Sequence, residues 1–411
     1  MLWIVVCIGL FGCQATEQEP AAADSQLVDL LDDARLVLAD GHFALALALT
    51  DSVLVTQPAS ADAYFLRGQI MLQRRDTDAA EAAYAKTLEL QPDYPSAWFN
   101  LGNIAFLRRQ YSEAISRYDK EMTATEAQYE KYGTSYAVRY GETMSRLALQ
   151  KGRAQRQLAE DDLAIAAFEQ AIAYDSLNAD AYADLSQSLK DTGQPEAAVP
   201  HATRALDLVP VDPDYNYILG ALKHTLGAPK EAVPLLQRSI QLKPWLASAR
   251  YSLGLALVEL GEEDAGKLQL QLADTLQVLN DRIEKARFES QTYPDQHERW
   301  INLGRLLIQA GRVEDAVQPL SVAEALQPDD LTIKNDLANL ALVRGDTLGA
   351  TRKLEAILAT APDFADGWYN LGVVYAMQGA YGKAQEAWEQ TLRHNPDHPE
   401  ARQSIDRLPG S

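Results

Sequence analysis

Trp368-Tyr369-Asn370-Leu371-Gly372, followed by Gly379, Ala384, Trp388 and Pro396, is the stretch on which the fold is decided. It recurs. Trp300-Ile301-Asn302-Leu303-Gly304 leads to Gly311, Ala316, Leu320, Ala323 and Pro328, and Trp98-Phe99-Asn100-Leu101-Gly102 leads to Ala114 and Tyr118. Prolines at 58 and 92, at 210 and 244, and at 328, 362 and 396 keep one constant interval. Glycines 68 and 102, and 220 and 254, keep the same interval. A fixed period of this size marks a repeat architecture rather than separate globular domains. Weaker copies occupy 27–60, 61–94, 179–212, 213–246, 247–290 and 331–364. The period slips twice, before Pro210 and before Pro328, each time by the same amount, which equals about four turns of helix.

The pattern has a local physical cause. With each Trp set at position 4 of its copy, positions 4, 7, 8 and 11 share an arc of ~100° on a helix. Gly at position 8 lets a second helix approach closely, and the aromatic at position 4 fills the next gap. The glycines 193, 227, 261, 311, 345 and 379, at position 15, end the first helix at its turn. Pro at position 32 closes the second helix, because a residue preceding Pro is disfavoured in α geometry. The tryptophans at 98, 300, 368 and 388 are therefore core residues. The segment from Glu262 to Gln291, with Leu268, Leu272, Leu276, Leu279, Ile283 and Phe288 at spacings of three to five, reads as one long second helix. The least regular unit lies at 123–178, where Ala164, Phe168 and Ala171 keep the second-helix signature while the first helix is displaced and the extra residues lengthen helices.

Composition agrees with helices and narrows the partners. Apolar residues are 47% and charged residues 23%, so a core can be built. The 37 Lys and Arg against 58 Asp and Glu give a net charge of -21, which repels phosphate backbones and argues against nucleic acid.

The motif resembles the tetratricopeptide repeat: an aromatic, then Leu-Gly, a small residue, an aromatic or Leu, and a closing Pro. The resemblance covers nearly everything after residue 26. It implies an all-α protein, a right-handed superhelical solenoid of about ten helix-turn-helix repeats. The expected blocks are 27–122, the irregular repeat 123–178, 179–293 with a lengthened last helix, 294–398, and a capping segment 399–411.

At the other end, Leu2 to Gly12 is an uncharged apolar run too short to span a bilayer but suited to a signal peptide. Its end, Leu10-Phe11-Gly12-Cys13, resembles a bacterial lipobox. That resemblance implies removal of residues 1–12 and lipidation of Cys13. It further implies a membrane-anchored lipoprotein of the bacterial envelope, on the outer membrane facing the periplasm, since no Asp follows Cys13. Residues 13–26, rich in Ala, Glu and Gln, read as a disordered tether. With only Cys7 and Cys13 in the sequence, the mature chain has no internal disulfide.

Positions 2, 6, 9 and 13 lie on the face of each first helix opposite position 4. In the family this face lines the concave groove. Here it carries Ser96, Asn100, Asn103 and Leu107; Glu298, Asn302, Arg305 and Gln309; Thr332, Asp336, Asn339 and Val343; and Asp366, Asn370, Val373 and Met377. Asn is a poor helix former, and its amide both donates and accepts, which suits the backbone of an extended peptide. Asn100, Asn103, Asn302, Arg305, Asp336, Asn339 and Asn370 are thus the candidate peptide-binding residues. The alternative use of these amides is bonding to neighbouring helices or solvent. One Arg is too little for a carboxylate clamp.

No catalytic, cofactor or metal set emerges. Gly261 to Leu268 nearly matches a phosphate loop, but Leu268 replaces the Ser or Thr that binds magnesium, and no strand precedes it. His394 and His398 are separated by Pro396, which breaks the helix a paired metal site needs. The expected function is a non-catalytic scaffold binding a protein or extended peptide, in assembly of a membrane or secretion complex. Two other readings are a regulatory subunit or enzyme with a site in 112–175, near Tyr129, Tyr132, Tyr136, Arg139, Tyr140 and Glu142, and self-association through the insertions.

Overall fold

The computed structural model describes residues 19–133 and 137–408, and among them every regular element is helical. The signal peptide, Cys13 and residues 13–18 of the expected tether lie outside the described residues. The remainder of that tether is helical, since the first helix starts at Glu19. The Ala, Glu and Gln that suggest disorder are also good helix formers, and continuity with an amphipathic helix decides between the two.

The chain divides into two compact units, Met1–Pro210 and Val211–Ser411. In the first, helices pair as α1 (Glu19–Ala39) with α2 (Phe43–Thr56), α3 (Ala61–Gln73) with α4 (Thr77–Leu90), and α5 (Ala97–Leu107) with α6 (Tyr111–Tyr132). Then come α7 (Ala137–Gln157) with α8 (Asp161–Tyr174) and α9 (Ala179–Asp191) with α10 (Pro195–Leu208). The second unit pairs α11 (Pro213–Thr225) with α12 (Pro229–Leu242) and α13 (Ala247–Glu259) with α14 (Glu263–Thr292). It continues with α15 (His297–Gln309) and α16 (Val317–Leu326, entered through a 3-10 turn), α17 (Leu331–Val343) and α18 (Thr347–Thr360), and α19 (Ala365–Met377) and α20 (Tyr381–His394). The short α21 (Pro399–Asp406) follows, its Ala401 and Ile405 packed with Trp388. Each unit is a stack of helix pairs, a helical solenoid.

The starts and stops are encoded locally. Ser60, Asp76, Asn178, Asp212, Asp330 and Asp346 each accept a backbone N–H from the first turn of the helix that follows. Gly193, Gly227, Gly261, Gly311, Gly345 and Gly379 all take φ between 71° and 83°. The same turn is made by Arg75, Arg109 and Ala159 at φ 64°, 60° and 58°, where an L side chain is strained.

Close packing at position 8 is visible in the space a Cβ would need. A Cβ on Gly102 would stand 2.4 Å from the Tyr118 ring, one on Gly304 2.6 Å from Leu320, and one on Gly372 2.4 Å from Trp388. Trp300 and Trp388 are buried, and Trp300 and Trp368 each donate their indole N–H to a proline carbonyl six residues back, Pro294 and Pro362. Trp98 and Trp368 are half-buried.

The irregular unit differs from its expected form. Gly152 is the position-8 glycine, its Cβ site 2.6 Å from the Phe168 ring, so the first helix is in register rather than displaced, and the extra residues lengthen helices as expected. α6 has 22 residues and α7 21, against 14 for α4 and 13 for α3. The first insertion is therefore shared equally by the end of α6 and the start of α7. The second belongs to α14 alone, which has 30 residues. Its start packs Gly266 and Leu270 on Gly254 of α13, while Leu279, Ile283 and Ala286 join the core of Trp300, Leu303 and Leu307. At 100° per residue these two sets lie on nearly opposite faces of the helix. α14 thus ends one run of repeats on one face and begins the next on the other.

Candidate functional site: the polar rows of the first helices

The predicted row residues do occupy the polar side of their helices, but most are already engaged. Asn100 donates to the Ser96 carbonyl at 2.8 Å, at the start of its own helix. Asn103 accepts from the Tyr118 hydroxyl at 2.9 Å. Arg305 and Asp336 form an ion pair at 2.8 Å that joins α15 to α17, and Asn370 donates to Asn335 at 2.9 Å, joining α17 to α19. The row in the second unit is therefore zipped laterally, repeat to repeat. Burial pushes the Asp336 carboxyl up, against the pull of the Arg305 guanidinium. Exposed Asn302 and half-buried Asn339 keep their amides unbonded by other side chains or backbone among the described residues. Asn302 also lines a small hollow with Arg282, Lys285, Glu289 and Leu306.

In the first unit the row is reshaped around α5. This helix starts at Ala97, because Ser96 sits in the left-handed region at φ 66° and makes no side-chain cap. A carboxylate from the second helix does the capping. Glu121, 3% exposed, accepts the Ser96 N–H at 2.7 Å and the Phe99 N–H at 3.3 Å. Burial pushes this carboxyl up, while the backbone N–H bonds and nearby Arg146 draw it down without prevailing. Sequence reasoning missed Glu121, although a signal existed. Its position holds Thr87, Ala171, Ala205, Ser239, Ala273, Ala323 and Thr391 in most other repeats, and Val53 and Ile357 in two more, so a lone charge stands in a column of small or apolar residues.

Beside this cap an open cavity of about 580 Å³ is lined by Phe65, Gln69, Tyr94, Phe99, Asn100, Arg139 and Arg146, among others. Phe65 and Tyr94 rings lie 4.9 Å apart, and the Arg146 guanidinium stacks 4.5 Å over Phe99. The Tyr94 hydroxyl holds Asp62 at 2.6 Å.

Two of the residues named for a catalytic alternative, Tyr129 and Tyr140, pack with each other. Tyr129 and Tyr140 rings are 4.4 Å apart, and Tyr140 meets Tyr174 edge-on at 6.0 Å. Tyr132, Arg139 and Glu142 are exposed, and Tyr136 lies outside the described residues. Among the described residues no group of three His, Cys, Asp or Glu could hold a metal ion. The phosphate-loop look-alike is the turn from α13 into α14, with Lys267 paired to Glu263 at 2.8 Å. His398 accepts the Ala401 N–H as the cap of α21. No helix among the described residues is long and apolar enough to cross a membrane.

Comparison with known families finds the repeat in several stretches of the chain. Tetratricopeptide-repeat profiles match residues 31–95, 72–128 and 183–244, and a further one matches 145–176, the register set by Gly152. The chain carries tetratricopeptide repeats. Residues 286–402 match the profile described as the cytochrome c-type biogenesis protein H TPR domain. Mouse DnaJ homolog subfamily C member 3 is 25% identical over 111 residues, which are 27% of this chain and 22% of that protein. Human protein O-mannosyl-transferase TMTC1 is 30% identical over 97 residues, 24% of this chain and 11% of its own length. The chain thus spans less than a quarter of either relative. Among solved structures, the type IV pilus biogenesis factor PilW is 17% identical, covering 55% of this chain and 96% of its own, with a TM-score of 0.46. YrrB, described as a TPR protein with an unusual peptide-binding site, is 18% identical, covering 69% and 98%, with a TM-score of 0.28.

Proposed function

We propose that this chain is a non-catalytic, lipid-anchored scaffold of the bacterial envelope that binds a protein or extended peptide along the polar rows of its first helices. The observation that carries the groove reading is the pair Asn302 and Asn339. Their amides are left unbonded on a row where Arg305 pairs with Asp336 and Asn370 bonds to Asn335, and a peptide backbone offers the donors and acceptors they lack. Repetition spreads affinity over several repeats instead of one dominant residue. The likeness of residues 286–402 to the repeat domain of a protein named for cytochrome c-type biogenesis favours a role in assembling other proteins. Anchorage through Cys13 rests on the lipobox-like Leu10-Phe11-Gly12-Cys13.

The test is crosslinked purification of the full chain from native membranes beside Asn302→Ala/Asn339→Ala, with circular dichroism to show that the variant folds. Specific partners that are lost with the two amides support the reading. Partners that persist unchanged move the contact surface elsewhere. Metabolic labelling with a fatty-acid analogue, retained by the chain and lost in Cys13→Ala, tests the anchor separately.

A further inference from the structure

In a chain of net charge -21, many described arginines are neutralised by a carboxylate, as Arg117 is by Glu81 and Glu113, and Arg153 by Asp184. Arg139 and Arg146 are among those that are not, and they are the two that share one cavity. Both are exposed, both belong to α7, and neither has an ion-pair partner among the described residues. Both line the same cavity of the first unit, whose one acidic lining residue, Asp62, is held by the Tyr94 hydroxyl. Arg139 comes from the added turns of α7, before the register set by Gly152, so a repeat of ordinary length has no counterpart for it.

We propose that this cavity binds an acidic segment of an extended peptide, its carboxylates paired with Arg139 and Arg146 and an intervening apolar side chain set against Phe65, Tyr94 and Phe99. The inference rests on the scaffold reading above and gives it a partner chemistry. Seven residues along a helix rise ~10.5 Å. Carboxylates two to four positions apart in an extended chain span roughly 7–13 Å, so the two spacings match. Gln69 and Asn100 border the same space and offer amides to the peptide backbone. Arg146 is pre-oriented by its stack on Phe99, which lowers the entropy lost when it pairs. Glu121 is engaged by the backbone of α5 and forms no ion pair with Arg146, although its carboxyl feels that charge.

The experiment measures fluorescence polarisation of short labelled peptides carrying two Glu at varied spacing around a Phe, each beside its Gln counterpart, and each with a free or an amidated C-terminus. The full chain is expected to bind at least one acidic peptide about tenfold more tightly than its Gln counterpart, with affinity falling as salt is raised. Arg139→Gln and Arg146→Gln each weaken that binding severalfold, while Arg146→Lys retains most of it. Binding by amidated peptides or by free acids alone supports the proposal equally, and distinguishes side-chain from terminal carboxylates. Acidic peptides no tighter than their Gln counterparts, or affinity unchanged in both Gln variants, overturn it. Asn302→Ala/Asn339→Ala leaves peptide binding intact if the site is in the first unit, and its loss there overturns the assignment. Membrane partners that still depend on Asn302 and Asn339 while the peptides fail would refute this site and leave the scaffold reading standing.

Discussion

Replacing Glu121 with Ala removes the side chain that caps the start of α5. Two backbone donors lose their acceptor, the Ser96 N–H now at 2.7 Å and the Phe99 N–H at 3.3 Å. Each buried donor left unpaired costs about 1–3 kcal/mol, and loss of an ordinary cap about 0.5–2 kcal/mol. Two effects reduce the sum. Ser96 and Phe99 are only half-buried, so water replaces part of what is lost, and the carboxylate's own burial penalty disappears with it. A net destabilisation of roughly 2 kcal/mol follows, or a fall of about 4–8 °C in the melting of a unit of this size. Thermal denaturation reads the size of the effect, and hydrogen exchange at residues 96–101 reads its place. The sign with pH is also fixed. Because the folded carboxyl titrates above its usual value, its contribution to stability is fully present below the unfolded value of 4.5 and is lost as pH rises through the folded value. The stability gap between the native chain and Glu121→Gln therefore widens as pH is lowered from neutral towards 4.5. Unchanged melting of Glu121→Ala together with unchanged exchange at 96–101 would refute the cap.

Four further outcomes follow from the geometry. Gly266→Ala places a Cβ 2.8 Å from the Gly254 carbonyl and 2.6 Å from Val258, and backbone cannot yield as a side-chain tip does. Overpacking there outweighs the gain in helix propensity, for a loss of about 1–3 kcal/mol in urea denaturation. Ala159→Gly relieves a φ of 58° and stabilises the first unit by about 0.5–1 kcal/mol, whereas Gly379→Ala costs about 1 kcal/mol in the second, both read by thermal denaturation. Arg305→Gln leaves the Asp336 carboxyl, 11% exposed, without its cation. Arg305 itself is half-exposed, so the cost in urea denaturation is about 1–2 kcal/mol, and a second change, Asp336→Asn, recovers most of it. At Glu81 the sign with pH is the reverse of Glu121. Burial pushes its carboxyl up, but Arg108 and Arg117 bind it and bring the net value below 4.5. Its contribution is present above 4.5 and lost as pH falls through the folded value, so Glu81→Gln weakens the first unit at neutral pH and progressively less in acid.

How much of this is legible in the sequence depends on how local the cause is. The constant repeat period, the left-handed glycines from Gly193 to Gly379 and the single long helix of Glu263–Thr292 follow from spacing along one chain segment, and all three are present. The register of the 145–178 repeat is within reach too, because Gly152 stands as far before Phe168 as Gly102 does before Tyr118. Without that pair, the lengthened α7 looks displaced. The site is harder. An Asn on a polar face looks the same in sequence whether its amide is free, as in Asn302, or spent on a neighbour, as in Asn370. Only the lateral placement of α15, α17 and α19 separates the two, and periodicity fixes faces rather than partners. Ser96 and Glu121 show the same limit, since their bond joins positions far apart in the chain and on different helices.

The central claim is that the first-helix rows of this repeat array contact another polypeptide. The direct measurement places a photocrosslinking amino acid in the living cell at residue 302 or 339, and at residue 355 of α18 as a control on a second helix. Crosslinks to a distinct polypeptide from 302 and 339, and none from 355, are the predicted result. Equal crosslinking from all three, or crosslinks from 355 alone, would contradict the account.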